Sequence, residues 1–110
     1  MILLLNMVSA EQADANLGKE VGEECVKFGK VLQVEVRVVA GVPKEVGVRV
    51  FVHFEEAGAA IKALVDLGVR YFNGNPVFAF FFDEGKFRRE ELEPPAADIA
   101  LVVKEAEQLR

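Results

Sequence analysis

Apolar and polar positions alternate in two different rhythms along the chain, and the rhythm changes five times. Residues 2–7 (ILLLNM) form an apolar run bounded by the polar stretch 9–12, which predicts a first strand. Leu17, Val21, Cys25 and Phe28 then recur at four, four and three residues and make one apolar helical stripe. Asp14 or Asn16 is placed to cap that helix, and Gly29 to stop it through its access to positive φ. Residues 32–39 (LQVEVRVV) are Val-rich and predict a strand, followed by an AGVPKE loop. Residues 46–54 (VGVRVFVHF) are a run of strong β-formers. Over residues 55–67 the period returns to helical, with Ala57, Ala60, Ile61, Leu64 and Leu67 on one face. Asn73-Gly74 signals a hairpin turn, and 77–82 (VFAFFF) is the last strand.

The order βαββαβ predicts an α+β, ferredoxin-like domain over residues 1–93. Two βα halves close into a four-stranded antiparallel sheet with both helices on one face. After Pro94-Pro95 the pattern restarts, with Ile99, Val102, Val103, Ala106 and Leu109 forming an amphipathic helix and Asp98 near its start. This extension, residues 94–110, is expected to fold back over the open sheet face. No internal repeat stands out.

Composition narrows the partners. The 110 residues are 52% hydrophobic and 28% charged, as expected of one folded domain. MILLLNMV is too short for a signal or membrane-spanning segment, so no membrane partner is expected. It opens directly on a structured element, like a domain cut from a longer protein. The single Cys25 provides no disulfide framework and, with one His, no multi-ligand zinc site. No cofactor is expected. The net charge of −5 disfavours nucleic acid, whose binding rests on cations neutralising phosphates, and favours a cationic partner.

This topology is shared with RNA-recognition motifs, which stack bases on rings of the first and third strands. Laid on Gly47 to Phe54, their third-strand pattern fits Phe51, Val52, His53 and Phe54, but puts Gly47 where a cation belongs and Arg49 where a ring belongs. The ring position of the first strand is Leu3. Two stacking platforms are missing, at roughly 1–3 kcal/mol each. An RNA-binding domain using Phe51 and the last-strand aromatics is the alternative reading. A small hydrolase on the same topology needs an anion-cradling first loop. VSAEQADAN supplies carboxylates there instead, and no nucleophile–base pair can be assembled. An enzyme is not expected.

Taken singly, the remaining candidates have ordinary explanations. Phe72 is a loop aromatic plugging the sheet edge, Arg70 a surface cation, and Glu20, Glu23 and Glu24 a solvated helix face. Tyr71 points inward or packs on the hairpin, Cys25 is inert core, and His53 is structural. Taken together, LLLNMV, EECVKFGKV, VRVFVHFEEAGAAIKALVDLGVRYFNG and DEGKFRREEL resemble the UHM family over residues 2 to about 90. UHMs are RNA-recognition-motif variants named after the large subunit of the splicing auxiliary factor, and they bind protein. The resemblance implies a nuclear pre-mRNA splicing module that recognises ULMs, short basic peptides with a single Trp. Such motifs occur in the large auxiliary-factor subunit, the branch-point-binding protein and the large U2-particle core subunit. It implies a Trp pocket formed by the Arg70-Tyr71-Phe72 loop, in which Phe72 packs on the indole. Arg70 stacks across the indole, held by Glu20 or Glu24. It also implies that Asp14, Glu20, Glu23 and Glu24 meet the ligand's basic residues. Direct RNA binding is expected to be weak or absent. The same acidic helix and pocket leave self-association through a partner chain's loop as a further expectation.

Overall fold

The computed structural model describes residues 1–109. Its elements are β1 (Ile2–Leu5), α1 (Leu17–Cys25), β2 (Val31–Val38), a 3-10 turn (Lys44–Val46), β3 (Val48–Phe54) and α2 (Ala57–Leu67). They continue with β4 (Tyr71–Phe72), β5 (Asn75–Pro76), β6 (Phe78–Phe81), α3 (Glu84–Arg88) and α4 (Ala96–Gln108). Strands β2-β3-β1-β6 form the expected four-stranded sheet, antiparallel at every pairing, with Leu3 opposite Phe51 on one side and Phe80 on the other.

Because successive strand residues face opposite ways, the sheet builds two cores. Ile2, Leu4, Val50 and Val52 meet α1 and α2 through Leu17, Val21, Cys25, Ala60, Ala63 and Leu67. Leu3, Leu5 and Phe51 point to the other face, where Phe82, Phe87, Ile99 and Val102 cover them. The C-terminal extension does fold over this face, and Val102 is fully buried. A helix the periodicity does not predict, α3, covers the same face. Asp83 caps it by accepting from the Lys86 amide at 2.9 Å. Arg49, in the position of a missing ring, is buried beneath the segment between α3 and α4. Its Nε donates to the Val46 carbonyl at 3.0 Å, and its Nη1 to the Leu92 carbonyl at 3.3 Å and to Glu93 at 2.7 Å.

Four local expectations are corrected. Helix α1 ends at Cys25, so Phe28 lies in the following turn, its amide donating to the Cys25 carbonyl. Gly29 is not the helix stop: a Cβ there would lie 2.5 Å from the Ala59 Cβ, so the position serves close packing of this turn on α2. Asn16 occupies the cap position of α1 without a side-chain cap bond, and Asp14 instead accepts from the Asn16 amide at 2.8 Å. The buried face of α2 is Ala59, Ala60, Ala63 and Leu67, while Ile61 is 53% exposed. Small side chains let the helix axis approach the sheet, and that rotates the stripe away from the one centred on the larger residues. Gly29→Ala is therefore expected to cost about 1–3 kcal/mol through overpacking. Denaturant unfolding checks this, and Gly41→Ala, where an added Cβ meets nothing within 4 Å, separates the clash from the general cost of a positive-φ glycine.

Candidate functional site

Helix α2 ends at Leu67, and the chain turns through Gly68 and Val69 into a two-residue ribbon. Tyr71 pairs with Pro76 and Phe72 with Asn75 around Asn73 (φ 50°) and Gly74 (φ 82°). Positive φ at both central residues is the type I′ geometry that Asn-Gly favours. Two side-chain amides anchor the ribbon to the exit of β1. Asn6 Nδ2 donates to the Pro76 carbonyl at 2.9 Å, and Asn75 Nδ2 to the Met7 carbonyl at 3.1 Å. The loop is thus tied to the sheet on one side while its other side faces α1.

Between them lies a cavity of about 360 Å³, inside the range of ligand pockets. Leu4, Val21, Cys25, Leu67 and Val77 make an apolar floor of buried side chains. Burial pushes the Cys25 thiol up to about 11, ahead of the smaller effect of Glu24, so it stays a neutral wall at physiological pH. Phe72, partly buried against the first core, forms one side. Glu20, Glu24 and Arg70 stand at the rim.

Of the two carboxylates expected to hold Arg70, the structure selects Glu24, whose Oε1 accepts from Arg70 Nη1 at 2.7 Å. The same oxygen accepts from Lys27, a cation beyond the α1 stripe. Lys27 first and Arg70 second hold the Glu24 carboxyl below its ordinary range. Arg70 Nη2 also lies 2.6 Å from Asp66 Oδ2 on α2, a residue the sequence reading did not single out. Its signal was present: Asp66 and Arg70 are four residues apart. Glu20 and Glu23 are exposed on α1, and Asp14 is exposed ahead of it. Tyr71 does not pack inward. It is 59% exposed and lines both this cavity and a shallower groove with Val69, Phe78 and Leu109.

On the opposite sheet face, Phe51 is 1% exposed. Its ring packs edge-on against Phe82, with centroids 4.9 Å apart, and tilted against Phe87 at 5.3 Å. His53 Nε2 sits 2.9 Å from Glu84 of α3. Among the described residues no group of His, Cys, Asp or Glu is arranged to hold a metal ion, and no helix is long and apolar enough to cross a membrane.

No protein-family model matches the chain. It is 46% identical over 88 residues to human splicing factor 45, and 37% identical over 95 residues to the zebrafish (Danio rerio) poly(U)-binding-splicing factor PUF60-B. These alignments cover 80% and 84% of this chain, but only 22% and 18% of those longer proteins. Among solved structures, the Rna15 RRM with bound RNA (GU) superposes with a TM-score of 0.56 at 12% identity, covering 82% of this chain and 94% of that one, which establishes the shared fold. Homology to splicing factors over four fifths of its length, on the scaffold of RNA-recognition motifs, makes this chain a member of the UHM family.

Proposed function

We propose that this domain is a nuclear protein-interaction module of pre-mRNA splicing that binds short, disordered, basic peptides through a single Trp. Its partners are then ULM-bearing splicing factors, such as the large auxiliary-factor subunit, the branch-point-binding protein and the large U2-particle core subunit. The observation that carries this reading is the apolar cavity beside α1, with Phe72 as one wall and Arg70 gripped at its mouth. A buried indole offers about 150–250 Å², or on the order of 4–6 kcal/mol at about 25 cal/mol/Å². Ordering a disordered peptide opposes this by several kcal/mol, so the indole alone does not hold the peptide and contacts of its basic residues at the rim must add to it; binding no tighter than the micromolar range is expected. Glu20 and Glu23, which form no ion pair with a cation of the domain among the described residues, supply the field for the ligand's Lys and Arg residues, while Glu24 is taken by Lys27 and Arg70. A binding role without chemistry fits the neutral thiol and the lack of any nucleophile–base pair in the cavity.

Burial of Phe51 under α3 and α4 weighs against the RNA reading, because its ring face is already occupied by protein rings. The test is titration with a synthetic basic peptide containing one Trp, beside the same peptide with Ala in its place. Micromolar binding of the first and none of the second is expected. Glu20→Lys should weaken binding about 3- to 10-fold through reversed rim charge and flatten its salt dependence. Equal binding of both peptides, or micromolar affinity for single-stranded RNA that disappears in Phe51→Ala, would overturn the reading.

A further inference from the structure

The grip on Arg70 has two arms from two different helices. Glu24 on α1 takes Nη1 at 2.7 Å, and Asp66 on α2 stands 2.6 Å from Nη2. A guanidinium held at one nitrogen can still swing about that contact. A second carboxylate against the other terminal nitrogen, here an ion pair outside hydrogen-bond geometry, narrows that swing. The anchors differ in kind. Asp66 Oδ2 is shielded from solvent and projects from the last turn of α2, whose Ala63 and Leu67 are buried. Glu24, whose side chain is 49% exposed against 38% for Asp66, divides its Oε1 between Arg70 and Lys27. Glu24 is the hydrogen-bonded arm but a shared one, whereas Asp66 pairs with Arg70 alone among the described ion pairs, so Asp66 closes the second side toward which the guanidinium could turn.

Charge reinforces the same division of labour. Glu24 and Asp66 are matched by Lys27 and Arg70, so this cluster is neutral as a whole and adds little long-range field. Attraction of a cationic ligand falls to the neighbouring carboxylates of α1. The function left to the cluster is geometric: it presents a flat cation over an apolar cavity, where an aromatic ring gains only if the faces are parallel and close.

We infer that Asp66 is a positioning residue of the peptide site, acting through Arg70 and not through contact with the ligand; this rests on the peptide-binding reading above. A double-mutant cycle tests it, with the basic Trp peptide as the probe. Asp66→Asn is expected to lower affinity about tenfold in the wild-type background and less than about twofold in the Arg70→Ala background, since coupled neighbours are non-additive. A field effect of the lost charge would persist in both backgrounds and fade with salt. In the peptide-free protein, NMR should show slowed rotation of the Arg70 guanidinium that Asp66→Asn abolishes and Asp66→Glu partly restores. Equal losses in the two backgrounds, or guanidinium signals indifferent to Asp66→Asn, would overturn the inference. A wild-type domain that binds no Trp peptide sinks the peptide reading itself, while the NMR measurement still reports on the clamp.

Discussion

Phe72→Ala is expected to lower affinity for a basic Trp peptide by about 30-fold or more, the equivalent of the roughly 2 kcal/mol that defines an interface hot spot. The ring is one wall of a cavity with an apolar floor, so truncation leaves an indole facing water on that side. The same ring packs partly against the first core, and its loss also destabilises the fold. Because Phe72 is only partly buried, that cost should be about 1–3 kcal/mol, below the roughly 3–5 kcal/mol of a fully buried Phe. The ribbon itself is held by Asn6, Asn75 and the Asn73-Gly74 turn, none of which needs the Phe72 ring. Calorimetric titration together with a thermal melt separates the two effects. A folded variant with unchanged affinity would remove the loop from the site.

The largest stability effect is expected at Val102. It is fully buried in the second core between the sheet and α4, with Leu3, Leu5 and Phe51 in the same cluster. Val102→Asp places an unpaired carboxylate there, at a cost of about 3–5 kcal/mol, a large part of the roughly 5–15 kcal/mol of a typical domain. Leu101→Asp, one position away and 45% exposed, should change stability by no more than about 0.5 kcal/mol. Denaturant unfolding of the pair reads this directly. Equal midpoints would show that α4 does not form part of the cooperative unit in solution.

The second core also accounts for why the outer face offers few base platforms. In an RNA-reading sheet the rings of that face must be bare. Here Phe51 is sealed by Phe82 and Phe87, and the buried Arg49 ties down Leu92 and Glu93 instead of stacking on a base. The Arg37 guanidinium adds a two-pronged pair to Glu90, at 2.9 and 3.1 Å, at the edge of the same cover. Phe51 of this face is core, Phe78 and Phe80 are partly buried against it, and the cavity beside α1 lies on the helical side.

Sequence by itself determined the βαββαβ order, because period-2 and period-3.6 patterns are written residue by residue and need no neighbour to be read. It also determined the turn at Asn73-Gly74 and the grouping of Arg70 and Phe72, two positions apart on one extended segment. The acidic run Glu20, Glu23 and Glu24 lay outside the Leu17–Val21–Cys25 stripe for the same reason. Tertiary structure decided what depends on distances between segments far apart in the chain. It chose Glu24 over Glu20 as the α1 partner of Arg70 and added Asp66 as the other arm. It turned α2 so that alanines face the sheet, since helix-to-sheet distance is set by packing and not by hydrophobicity alone. It placed Gly29 against Ala59 and formed α3 on a segment too short for any period to announce. Local pattern is encoded in composition and spacing; the partner of an exposed charge, and the walls of a cavity, exist only once the chain has closed on itself.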